Sequence, residues 1–331
     1  VEVPVTLLPL GGPLARREAE VSGMAWAGDT LLLLPQVPGL FRDEARGVPG
    51  AEGADGALFA LSRGELEAAV QGRRAGPLLA RPFPVHAPGL AALFAQPGVE
   101  GFEALAVRGE QVFLTLERKT PAGMVAHVLS GRLLPGGAGL ALDAGRLGPP
   151  IPGASGLRNM SEEALVVAGE RLLTVHEVNG AAHAPAPRVH VFGLDLSARG
   201  TLPFPAVDYR ITDATPPDAE GRFWAMNYFW PGEKALAVVG EPLAARWGEG
   251  TSHALHGAVE RLLPLQLTAD GVRLREAPPL QLALREDRTA RNWEALAPLE
   301  GFGLLLATDT YPETLLGFVP LPEEGAAGQA R

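Results

Sequence analysis

One short phrase recurs five times along the chain, and that recurrence limits the possible folds more than any other feature. The fullest copy is Arg291 to Val319, where an acidic residue opens an apolar run (Glu294-Ala295-Leu296-Ala297). A Gly turn follows (Glu300-Gly301), and a second apolar run (Leu304 to Ala307) ends on Asp309. Two apolar runs joined by a Gly-containing turn read as a β-hairpin. The phrase returns as GFEALAVRGEQVFLTLE from Gly101 and as SEEALVVAGERLLTVHE from Ser161. Looser copies are VSGMAWAGDTLLLLPQ from Val21 and TDATPPDAEGRFWAMN from Thr212. Glu103, Glu163, Ser22 and Asp213 each precede a second polar residue by 14 positions; from Glu294 to Asp309 the interval is 15. A supersecondary unit repeated at intervals of several tens of residues indicates a propeller or solenoid.

The expected fold is therefore an all-β propeller forming a single domain over residues 1–331. It has five blades, whose first hairpins lie near 21–36, 101–117, 161–177, 209–228 and 291–309. Start-to-start spacings are uneven, so a sixth blade hidden in one of the longer intervals stays open. The last copy has room for three strands where the others have four, and the first segment, Val1 to Leu10, alternates like a strand but lacks a neighbouring partner. Pairing Val1–Leu8 with Thr314–Val319 would close the ring and leave no open sheet edge. Short helices are expected at Gly64–Val70 and Pro88–Ala95, a Gly-rich loop at Arg46–Gly56, and an insertion at Trp230–His256. Two long runs, Val259–Leu267 and Val272–Leu284, should complete the fourth blade around an Asp270-Gly271 turn.

Composition removes several functions. A net charge of −10 has the wrong sign for gripping phosphate backbones, and no Lys/Arg cluster is interleaved with aromatics, so nucleic acid is not an expected partner. The absence of cysteine rules out disulfides, thiolate metal sites and a Cys nucleophile. No apolar run approaches the roughly 20 residues that span a bilayer. The chain starts at Val1, which fits removal of a targeting segment and fits simple trimming equally; an extracytoplasmic (periplasmic or secreted) monomer is the expectation.

The phrases E-A-L-A and Asn292-Trp293-Glu294-Ala295-Leu296, with their Gly turn and terminal Asp309, resemble the phytase-like β-propeller family described as having esterase-like activity of phytase. That resemblance implies an ester hydrolase. The ring of five also resembles the five-bladed calcium-dependent apyrases, which hold Ca²⁺ in the pore through Ser and Glu on the inner strands.

In a propeller the first strand of every blade lines the central channel, so Ser22, Glu103, Glu163, Asp213 and Glu294 are expected to meet around one axis. Clustered carboxylates repel one another and need protons, protein cations or a metal. An all-oxygen set suits Ca²⁺; the alternative is a wet polar pore partly neutralised by Arg118, Arg158 and Arg291. Gln36, Glu117, Glu177, Asn227 and Asp309 close the second strands on the same face. Of these, Asp309, Glu117 and Glu177 are candidate bases, with Arg118 and Arg291 as anion binders. Asn227, Tyr228, Trp230 and Tyr311 are candidate substrate contacts for a small anionic ligand or ester. The sequence expectation is a calcium-centred hydrolase of a phosphate or carboxylic ester, or alternatively a non-catalytic ligand- or partner-binding propeller of the cell envelope. His253 and His256 form an H-x-x-H without evident further zinc ligands. His176-Glu177 lacks the second histidine of a zinc-protease helix, and Gly250-Thr251-Ser252-His253-Ala254 only partly imitates a nucleophile elbow.

Overall fold

The computed structural model describes residues 2–38 and 53–321. Its order of elements is almost entirely strands, and they group into five four-stranded antiparallel blades. Blade one contains Val21–Ala27, Thr30–Pro35, Gly56–Ser62 and Arg81–His86. Blade two contains Val99–Arg108, Gln111–Thr120, Gly123–Leu133 and Leu140–Leu142. Blade three is Glu162–Ala168, Arg171–His176, Arg188–Gly193 and Ala198–Pro203. Val207–Ala214, Arg222–Phe229 and Val259–Thr268 begin blade four. Its outer strand is two pieces, Gly271–Leu274 and Leu280–Leu282, rather than the single run expected over Val272–Leu284. Pro278 and Pro279 lie between the pieces and cannot donate to a ladder.

Blade five is Trp293–Leu299, Gly303–Thr308 and Leu316–Pro320, completed by Thr6–Leu8. Thr6, Leu7 and Leu8 pair antiparallel with Phe318, Gly317 and Leu316, so the N-terminal segment closes the ring. The observed pairing is shorter than the expected Val1–Leu8. Pro4 interrupts the segment, and Glu2–Val3 pair instead, in parallel, with Gln281–Leu282 of blade four. One end of the chain thus joins two blades.

The first strands of blades one to five pack in succession, and the first strand of blade five returns to that of blade one. Each junction is filled by its own apolar cluster. This explains the Leu31–Leu34 run. Leu31 and Leu33 point toward blade five, while Leu32 and Leu34 point toward blade two. Strands buried on both faces need apolar residues at every position, not only at alternate ones. Among the described residues no sixth four-stranded sheet occurs, and the ring is a five-bladed β-propeller.

The helices expected at Gly64–Val70 and Pro88–Ala95 are Arg63–Val70, capped by Ser62, and Leu90–Phe94. The insertion after blade four's second strand carries Pro242–Trp247 and Thr251–His256. Most of the loop expected at Arg46–Gly56 lies outside the described residues. No described helix is long and apolar enough to cross a membrane.

Candidate functional site

Every first strand carries a β-bulge near its entry to the pore, at Ser22, Glu103, Glu163, Thr212 and Glu294. A bulge inserts one unpaired residue and turns it away from the ladder. Four of these five bulged positions are the expected ring members; in blade four the bulged residue is Thr212 and not Asp213. Measured from the first pair inside the bulge, blade four's hairpin (Asp213 to Met226) is two residues longer than those of blades one to three and one longer than blade five's. A one-residue slip in a strand exchanges the two faces.

Asp213 consequently leaves the ring. Its carboxylate accepts from Ala214 N at 2.8 Å and Leu296 N at 2.6 Å, tying blade four to blade five. The two hydroxyl bulges do a similar job. Ser22 Oγ donates to Phe102 O at 2.6 Å and Thr212 Oγ1 donates to Trp293 O at 2.5 Å. In both, a bulge hydroxyl reaches the carbonyl just before the carboxylate bulge of an adjacent blade.

The pore mouth is a cavity of about 150 Å³ lined by Ser22, Gln36, Glu103, Glu117, Glu163, Arg210, Glu294 and Asp309, with Glu20, Asn159 and Thr310. Arg210 was missed in the sequence. It sits two residues before the bulge of blade four, where the other blades carry Glu20, Gly101, Ser161 and Asn292. Its guanidinium pairs with Glu177, with Glu294 at 3.1 Å and with Glu233 at 3.6 Å, and donates to Asn292 Oδ1 at 3.3 Å. Gly101 at the matching site of blade two leaves space for Gln36: an added Cβ would lie 2.1 Å from Gln36 Cγ. Gln36 Nε2 in turn donates to Glu103 Oε1 at 2.8 Å.

Burial, reinforced by neighbouring carboxylates, raises Glu103 and Glu163 well above the usual carboxyl range. Burial also takes Glu117 to about 7, with Glu177 adding to the rise. Glu177 is raised by burial to about 7 against the opposing pull of Arg210. Glu294 is raised to about 8, first by burial and then by Asp309, again opposed by Arg210. Burial raises Asp309 as well. Glu117 Oε1 and Glu177 Oε2 are buried without a hydrogen-bond partner, which suits protonated groups better than charged ones.

Outside this mouth opens a larger cleft of about 620 Å³ that shares Asn159, Arg210, Glu294 and Asp309 with it. Its walls include Tyr228, Trp230, Tyr311, Glu233 and Asn292. Trp230 and Tyr311 are half exposed, and the Arg17 guanidinium lies 4.4 Å from the centroid of the Tyr311 ring.

Of the expected catalytic groups, Asp309 and Glu117 line the mouth and Glu177 reaches it through Arg210. Arg118 and Arg291 line neither cavity. Arg118 follows Glu117 on a strand, so it faces the other side. Arg291 is buried against Glu260 at 2.8 Å and donates to Ala283 O. Arg158 is exposed and lines neither cavity. Asn227 is a support: its Nδ2 donates to Asp208 O and Arg210 O, and its Oδ1 accepts from Arg261. Tyr228, Trp230 and Tyr311 line the cleft. His253 bonds Glu2 Oε1 and the backbone of Glu260, anchoring the N-terminal segment to the short helix Thr251–His256.

The donor set does not fit the five-oxygen ring expected to hold Ca²⁺. Asp213 faces a blade junction, the hydroxyl of Ser22 is spent on Phe102 O, and a guanidinium stands among the remaining carboxyls. Among the described residues no three His, Asp or Glu side chains are placed to hold a metal ion.

No protein-family model and no curated protein matches the sequence. Several solved structures are similar in fold. An endo-arabinanase of glycoside hydrolase family GH43 from Bacillus licheniformis aligns over 96% of this chain and 98% of its own, with 10% identity and a TM-score of 0.48. The catalytic domain of a GH62 α-L-arabinofuranosidase from Coprinopsis cinerea aligns over 96% of both chains at 10% identity, with a TM-score of 0.46. An α-L-arabinanase from Cellvibrio cellulosa aligns over 93% of this chain and 94% of its own at 10% identity, also with a TM-score of 0.46. The expectation of a calcium-centred phosphate or carboxylic ester hydrolase is corrected. The mouth sets six carboxyl groups against one guanidinium, a poor receptor for an anionic ester.

Proposed function

We propose that the pore mouth and the adjoining cleft form the active site of a glycoside hydrolase acting on a sugar chain. The observation that carries this reading is the position of Glu294 beside Asp309 where the two cavities meet. Sugars suit such a site. Their hydroxyls donate to carboxylates, and their C–H faces pack on exposed aromatic rings such as Trp230 and Tyr311.

Glycoside hydrolysis needs two carboxyl groups in different protonation states beside the bond to be broken. Glu294 is the acid. Arg210 Nη2 and Asn292 Nδ2 both donate to its Oε1, at 3.1 and 2.6 Å, which leaves Oε2 to carry the proton. Protonation of Glu294 up to about pH 8 keeps it ready to donate to the glycosidic oxygen at neutral pH. Asp309 is the carboxylate partner, oriented by Tyr311 N at 2.9 Å. The glycosidic C–O bond breaks as Oε2 releases its proton to the leaving alcohol. Water, deprotonated by Asp309, supplies the hydroxyl to the anomeric carbon, and transfer of the proton from Asp309 to Glu294 restores both groups. Arg210 holds Glu294 in place and balances its charge after the proton has gone.

Release of reducing ends from a panel of oligosaccharides tests this reading. Turnover supports it; binding without turnover would mark a non-catalytic sugar-binding propeller, and failure to bind any sugar would contradict it.

A further inference from the structure

The outer cleft contains a cation that the proposed reaction does not use. Arg288 lines the cleft but not the pore mouth, and its side chain is exposed. Among the described residues its guanidinium has no ion-pair or hydrogen-bond partner, whereas Arg210 is fully engaged by Glu177, Glu233 and Glu294.

The backbone holds Arg288 in an uncommon conformation. Its φ is 62°, the left-handed region that non-glycine residues seldom occupy. The turn is fixed on both sides. Arg288 N donates to Arg285 O at 3.1 Å, and Asp287 bonds the Arg285 guanidinium and Thr289 N, both at 2.9 Å. Five non-glycine residues among those described have positive φ, and three of them, Glu20, Asn159 and Arg288, line the mouth or the cleft. Strain of this kind persists where surrounding structure enforces it and tends to collect at functional sites.

We propose that the cleft selects an acidic sugar chain, and that Arg288 is the specificity-determining residue that pairs with a carboxylate or sulfate on a sugar unit outside the bond being cleaved. This inference rests on the glycosidase reading and names its substrate class. The charge is read away from the reacting centre. Glu294 and Asp309, which the cleft shares with the mouth, would repel an anion placed beside them, as would Glu233 but for its pairing with Arg210, whereas the unpaired guanidinium of Arg288 can take one in a bidentate, charge-assisted contact. Trp230 and Tyr311 give the intervening sugar an apolar face to lie against.

The test compares wild type, Arg288→Gln and Arg288→Lys on matched neutral, uronate-containing and sulfated oligosaccharides, with binding measured by calorimetry and hydrolysis by reducing-end release. Wild type should bind an acidic series more tightly than the neutral one. Arg288→Gln should lower the acidic-to-neutral affinity ratio about tenfold, and Arg288→Lys should retain part of it. The two acidic series show which anion is read. A ratio unchanged by Arg288→Gln, with turnover intact, would overturn the inference and leave the glycosidase reading standing. Binding of acidic sugars that depends on Arg288 but never leads to cleavage would overturn that reading and keep the ligand class. Failure of every series to bind would overturn both.

Discussion

Arg210 Nη2 donates to Glu294 Oε1 at 3.1 Å, joining residues 84 positions apart across the mouth of the pore. The same guanidinium also meets Glu177, which is fully buried. Blade four therefore contributes a cation two residues before its bulge, where the other blades carry Glu20, Gly101, Ser161 and Asn292, and the charge balance of the site depends on it.

Replacing Arg210 should accordingly cost most where the carboxyls are ionised. Breaking a buried pair by removing one partner typically costs about 3–5 kcal/mol. Arg210→Gln should lose stability on that scale at pH 8 and much less at pH 5, where the stranded carboxyls can take up protons. Urea unfolding at the two pH values checks this; an equal loss at both would contradict the role given to Arg210.

The wild-type protein should lose stability as the pH rises. The folded pKa values of Glu117 and Glu177, about 7, and Glu294, about 8, lie above the ordinary 4.5, so the folded state binds more protons than the unfolded chain. Stability from these groups is present in full below about pH 4.5 and is lost progressively as the pH climbs to about 8. If protons and Arg210 neutralise the ring, a chelator leaves the melting temperature at pH 8 unchanged. A large rise with added Ca²⁺ would show instead that a metal does so.

Removing residues 1–10 should lower the melting temperature sharply. The deletion exposes the edge of Leu316–Pro320, removes buried Leu8 and takes away Glu2, whose Oε1 accepts from Ser252 N, Ser252 Oγ and His253 N. A shortened protein that melts like the parent would place ring closure elsewhere.

The five-bladed ring was legible because each blade repeats a hairpin whose apolar runs must fill both of its faces. Ser22, Glu103, Glu163 and Glu294 could be aligned by the same repeat. Blade four could not, because its longer turn shifts Thr212 rather than Asp213 into the bulge, and sequence spacing alone does not reveal a bulge. Arg210 lies outside the repeated phrase. Only knowledge that residues two before each bulge also face the pore would have found it. Arg291 illustrates the reverse error: adjacency in sequence to Glu294 suggested the pore, yet the side chain packs with Glu260.

The most direct test of the central claim is the pH dependence of glycoside cleavage by wild type and Glu294→Gln. Wild-type kcat should fall as the pH rises through about 8, when Glu294 loses the proton it must donate. Glu294→Gln should lower kcat by about a hundredfold or more and abolish that alkaline limb, with sugar affinity retained. Turnover by Glu294→Gln at the wild-type rate, with the alkaline limb unchanged, would contradict the assignment of the acid to this carboxyl and of the reaction to this mouth of the propeller.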